Sequence, residues 1–174
     1  AWSLAGTTDQ LHTAEFITSA LAESINPYLL PAIIFILAAL ISFSTGSSWS
    51  TMAILYPIAI PTAWAVCQSS GMDVTASLEI LLNVISIVLA ASVLGDHCSP
   101  ISDTTILSSL ASDCKHIEHV RTQLPYALTV GSVSIIAATV TAFLGGSWLI
   151  NTIVLFAGLA TLYFTIRTVG KKVE

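Results

Sequence analysis

The residues richest in chemistry stand together in one polar run, Gly95-Asp96-His97-Cys98-Ser99-Pro100-Ile101-Ser102-Asp103-Thr104-Thr105. The run carries two carboxylates, an imidazole, a thiol and four hydroxyls. It lies between two apolar runs, 78–94, which holds only Glu79 and Asn83 as acid and amide, and the shorter 106–111. An Asp at the centre of a membrane helix costs about 2.5–3.5 kcal/mol, so acids in such a place are expected to act. The run reads as an unwound break in a transmembrane helix, whose oxygens replace the water around a small hard cation. Asp96 is the first candidate charge because it lies at the break, and Asp103 is the second. Ser99, Ser102 and Thr104 add hydroxyl ligands. Ser99 before Pro100 suits an N-cap followed by the first helical position, and Ser102 offers a second cap. His97 has three readings: a hydrogen bond to a carboxylate, a proton relay, or packing. Cys98 reads as a small buried apolar side chain.

A second polar cluster, Ser42-Phe43-Ser44-Thr45-Gly46-Ser47-Ser48-Trp49-Ser50-Thr51, separates apolar arms at 29–43 and 52–66. Each arm, at 1.5 Å per residue, is roughly 22 Å long, short of the ~30 Å hydrocarbon core. Residues 29–66 are therefore expected to form a re-entrant hairpin that enters from outside and turns near mid-membrane, the alternative being ordinary transmembrane helices with a cytoplasmic turn. Pro57 and Pro61 are expected to kink its second arm. Irregular backbone at this depth needs protein or a water-filled cavity around it. The tip hydroxyls of Thr45, Ser47 and Ser48 are thus candidate ion ligands, although Ser and Thr also serve as plain glue between membrane helices. Trp49 is read as packing the hairpin.

These two stretches need a scaffold, and the composition says which kind. Of 174 residues, 9% are charged against roughly 25% in a soluble domain, and 55% are hydrophobic, with mean hydropathy +0.87. The chain is an all-α integral membrane protein by this measure. A net charge of −5 and the lack of a basic stripe exclude nucleic acid as a partner. Cys67, Cys98 and Cys114 show neither disulfide nor zinc spacing. The chain opens on Ala with no signal-peptide pattern and is expected to be part of something longer. The five basic residues, Lys115, Arg121, Arg167, Lys171 and Lys172, place 113–124 and the 169–174 tail in the cytoplasm. Residues 125–144 and 148–168 are then two transmembrane helices. Residues 78–112 form the discontinuous helix, 67–77 an external loop, and 1–28 an external interfacial helix capped by Thr8 or Asp9. Glu79 is expected at the outer mouth. His116-Ile117-Glu118-His119 lacks metal-motif spacing and reads as solvated loop.

The run from Gly95 to Ile106, followed by His119-Val120-Arg121-Thr122-Gln123-Leu124-Pro125-Tyr126, resembles the signature of NhaC-type Na+/H+ antiporters. The tip Ser44-Thr45-Gly46-Ser47-Ser48-Trp49 resembles a second, weaker motif of that family. The resemblance covers 29–144 and implies a secondary transporter of the prokaryotic plasma membrane, multi-pass and not an enzyme. It also implies a fold that pairs two hairpins and two broken helices in inverted repeats. This chain has one of each, so it is expected to be the C-terminal half. Its expected partners are the bilayer, the N-terminal half, Na+ and H+; a homodimer is left open. No cofactor is expected beyond the transported ions. Burial disfavours the charged form of a carboxylate and a bound cation favours it, so one acid can alternate between Na+ and H+. Asp96, with His97, is the expected proton-coupling group. The alternative is a Na+-coupled organic-acid exchanger, such as a malate/lactate antiporter, although residues 1–112 hold no Lys or Arg for an anion.

Overall fold

The computed structural model describes residues 25–170 and, ahead of them, 3, 6, 7 and 10–21. Every regular element among the described residues is an α-helix. We number them α1 (Thr13–Leu21), α2 (Leu30–Thr45), α3 (Ser48–Ser69), α4 (Val74–Cys98), α5 (Asp103–Ala111), α6 (His116–Leu144) and α7 (Trp148–Val169). Four of them, α3, α4, α6 and α7, are long and apolar enough to cross a membrane, while α2 is shorter. The chain is an all-α integral membrane protein.

The hairpin α2–α3 turns at Gly46 and Ser47. Gly46 ends α2 in the left-handed region (φ 64°), where its amide meets the Ser42 carbonyl. Ser47 starts α3, its hydroxyl accepting from Ser50 N. The arms are unequal. The 16 residues of α2 reach roughly 24 Å, but the 22 residues of α3 reach roughly 33 Å, a full span. The short arm that carried the re-entrant expectation is thus α2 alone. Pro57 and Pro61 lie inside continuous α3, and the helix runs on to Ser69. The connection to α4 shrinks accordingly to residues 70–73.

The 78–112 stretch is two helices of unequal length, 25 residues in α4 and 9 in α5, parted at 99–102. After α5 the chain turns through Asp113 (φ 48°) and enters α6 at His116. Residues 116–124, expected as loop, are therefore helical, and α6 passes through Pro125 to Leu144. A proline in a membrane helix is tolerated when its surroundings satisfy the freed carbonyl. Nothing is described of the cap positions Thr8 and Asp9, or of the tail beyond Gly170, all outside the described residues. The short α1 packs along α3.

The core lies where α2, α3 and α4 meet. Ala38, Ala63, Val66, Val84, Val88 and Ala91 are fully buried there. Lipid tails are as apolar as these side chains, so close contact rather than escape from water holds such helices together. Small residues permit that contact. Gly95 is the extreme case: a Cβ there would overlap the Ala39 carbonyl and stand 2.8 Å from Ser42 Cβ. Polar groups add to it. Tyr56 Oη donates to the Ile85 carbonyl (3.2 Å), and Asn83 Nδ2 donates to the Ala138 carbonyl (3.1 Å), tying α3 and α6 to α4. Glu79, on the second turn of α4, lines a cavity of about 260 Å³ with Asn83, Thr141 and Gly146. By contrast α7 buries none of its residues.

Candidate ion site at the crossing of hairpin tip and helix break

Small residues on one face of α4 let α2 descend onto it. Ser42 Oγ donates to the Ser92 carbonyl at 2.5 Å, and Ser99 Oγ to the Phe43 carbonyl at 2.7 Å. These two bonds carry the end of α2 down the end of α4 and into the break. The turn then lies on Ile101: a Cβ on Gly46 would stand 2.9 Å from Ile101 Cγ1. Tip and break are one structure built from two distant stretches of chain.

Asp96 sits inside it, half-buried. Its Oδ1 accepts from Ser102 Oγ at 2.6 Å and its Oδ2 from Ser48 Oγ at 3.2 Å. Ser102 is the N-cap of α5 and also accepts from Thr104 N. Its single proton goes to the carboxylate, so the Thr104 hydroxyl, 2.8 Å away, donates to Ser102. Ser48 opens α3. The N-termini of α3 and α5 therefore both approach one carboxylate and bring the partial positive charge of helix starts to it. The C-termini of α2 and α4 end at the same crossing and present the opposite sign, as a cation requires. The arrangement gathers carboxylate and hydroxyl oxygens, a donor set suited to a hard cation rather than a soft metal. Among the described residues no group of three or more His, Cys, Asp or Glu could hold a metal ion.

The remaining candidates are placed as follows. Ser99 is fully buried, but its hydroxyl serves the Phe43 carbonyl and accepts from Ile101 N. Thr45 lies 3.5 Å from the Thr51 hydroxyl, within the tip, and Ser47 caps α3. Neither touches Asp96. Asp103 is exposed on the first turn of α5, with no side-chain hydrogen bond or ion pair. His97 lines a groove of about 500 Å³ together with Gln123 and Tyr126 of α6. Cys98 is buried, as its reading required. Trp49 is 81% exposed and does not pack the hairpin, because Ser48 beside it takes the inward position.

Sequence reasoning missed Ser42, Ser92 and His116. The first two were signalled by small residues recurring on one helix face. His116, expected in solvated loop, is half-buried: its Nε2 donates to the Pro100 carbonyl at 2.6 Å and its Nδ1 lies 3.2 Å from Ser109 Oγ.

The model of the Na+/H+ antiporter family matches residues 1–163. An uncharacterized protein of Haemophilus influenzae is 43% identical over 143 residues, 82% of this chain and 26% of that protein. The arginine/ornithine antiporter ArcD of Halobacterium salinarum is 38% identical over 62% of this chain and 21% of its own length. The malate-2H(+)/Na(+)-lactate antiporter of Bacillus subtilis is 28% identical over 71% of this chain and 24% of its own. The chain thus spans about a quarter of these relatives, a smaller share than the half expected from the sequence. No solved structure matches it.

Proposed function

The chain belongs to the Na+/H+ antiporter family, and from that premise we propose that it forms the carboxylate-bearing part of an antiporter in which Asp96 holds Na+ and H+ in turn. One observation carries the reading: Asp96 is gripped by Ser48 and Ser102 where the hairpin tip crosses the helix break. A carboxylate so held exchanges a proton for a cation without covalent chemistry. Protonation removes its charge, and with it the main attraction for Na+. Loss of the proton restores the charge, and Na+ bound there then keeps a proton from returning until the ion leaves. Ser102, Ser48 and Thr104 supply neutral oxygens to the same ion, and the rest of the transporter completes the shell. His97, in its groove, is a route for the proton, and Asp103 is the second choice for the carboxylate rather than a partner of Asp96.

Na+-coupled exchange of an organic acid is the alternative, and the name of the Bacillus subtilis relative favours keeping it. An anionic substrate calls for a base in the site, and residues 1–112 contain neither Lys nor Arg. That supports the cation reading.

The test is Asp96→Asn in the full-length protein, reconstituted in liposomes. The change removes the titratable charge and keeps the size. Na+-driven proton flux should vanish at every pH while folding and membrane level hold. In the wild type, protons and Na+ compete, so apparent Na+ affinity should weaken as pH falls, by up to about tenfold per pH unit. Retained exchange with the same pH dependence in Asp96→Asn would move the role to Asp103 or to another part of the protein.

A further inference from the structure

We propose that His116 is a positioning residue for the ion site, acting by holding the Pro100 carbonyl inside the helix break. The proposal rests on the reading of Asp96 given above. Most of the backbone groups in the break are held by near neighbours. Ser99 N donates to the Asp96 carbonyl at 3.1 Å, Ser102 N to the Ser99 carbonyl at 3.4 Å, and Thr105 Oγ1 to the His97 carbonyl at 3.2 Å. Pro100 is different. It has no N–H, so its carbonyl is the one hydrogen-bonding handle on it. That carbonyl is taken by His116 Nε2 at 2.6 Å, across sixteen residues of sequence. A carbonyl only accepts, so Nε2 carries the proton in this contact.

The other ring nitrogen is 3.2 Å from Ser109 Oγ, and Ser109 is almost fully buried on α5. One imidazole at the start of α6 therefore holds the break, with Ser109 of α5, whose hydroxyl also donates to the Ile106 carbonyl at 2.8 Å, beside its other nitrogen. What it fixes follows from the neighbours of Pro100. On one side Ser99 binds the hairpin tip through the Phe43 carbonyl. On the other, two residues on, Ser102 binds Asp96 Oδ1. Holding Pro100 sets both at once. His116 has no contact with Asp96, so it acts on the ion through Ser102 and not by coordination.

The test compares His116→Ala with His116→Gln in the full-length antiporter. The Gln amide N–H reaches about as far as Nε2 and keeps the donor to Pro100. His116→Ala should raise the KM for Na+ about two- to tenfold, the worth of one hydrogen bond, with Vmax per folded carrier little changed. His116→Gln should restore the wild-type KM. Backbone hydrogen exchange over 99–105 in detergent-solubilised protein should quicken in the Ala variant and return to the wild-type rate in the Gln variant. Should the Ala variant fail to reach the membrane, His116→Asn takes its place, since its shorter amide serves only the Ser109 side. Equal KM and equal exchange in the wild type and the donor-less variant would overturn the proposal, as would Gln and the donor-less variant behaving alike. If the wild type carries no Na+-driven flux, the Na+ reading fails, and hydrogen exchange alone decides the role of His116.

Discussion

Ser102 does two jobs with one hydroxyl: it caps α5 through Thr104 N and donates to Asp96 at 2.6 Å. Removing it should therefore cost more than removing the nearby charge. A hydrogen bond to a charged group is worth about 1.5–3 kcal/mol, and a lost N-cap about 1 kcal/mol. Ser102→Ala should weaken apparent Na+ affinity at least about tenfold in proton-flux titrations against Na+. Asp103→Asn, at an exposed side chain without partners, should change it less than about twofold, a surface-sized effect. An equal loss in both would mean that Asp103 shares the ion. Asp96 was legible in the sequence because an acid amid apolar residues is expensive, whatever its partners. Its partners were not. Ser48 is 48 residues away, and nothing local separates it from Thr45 or Ser47, whose hydroxyls stay within the tip. His116 was hidden for the same reason: amid charged neighbours it looks solvated until the fold brings Pro100 to it.

At the scale of elements, the tightest joint is α2 against α4 at Gly95, where an added methyl meets the Ala39 carbonyl and Ser42. Backbone cannot yield as a side-chain tip does. Gly95→Ala should separate the two helices and stretch the Ser42–Ser92 bond, destabilising the protein by about 1–3 kcal/mol. A lowered melting midpoint in detergent with a weakened Na+ affinity is the expected result, and an unchanged melt would mean that the joint is looser than drawn. Hydropathy sufficed to predict helices, the tip and the break, because apolar length and polar interruption are local properties. It failed at the boundary that Pro125 suggested: that proline reads as a helix start, and α6 runs through it from His116. The close approach at Gly95 was not legible, since a glycine alone does not say what crosses it.

For the molecule as a whole, the most telling feature is where Asp96 stands along α4. From Val74 it lies roughly 33 Å along the helix at 1.5 Å per residue, near the end rather than the middle. Between those points α4 buries Val84, Val88 and Ala91 completely. On the reading that Asp96 holds the ion and α4 spans the bilayer, a cation arriving from the side of residues 70–73 crosses more of the transmembrane potential before it meets the carboxylate than one arriving from the side of residues 112–115, where the 9 residues of α5 intervene. One charge moved through 100 mV is worth about 2.3 kcal/mol, or up to roughly 50-fold in apparent affinity. In liposomes clamped by a potassium diffusion potential, voltage should therefore shift the Na+ affinity of one face more than that of the other. Equal sensitivity at both faces would put the ion at mid-membrane instead. On the reading proposed above, the lopsided break divides the driving force unequally between binding on one side and release on the other.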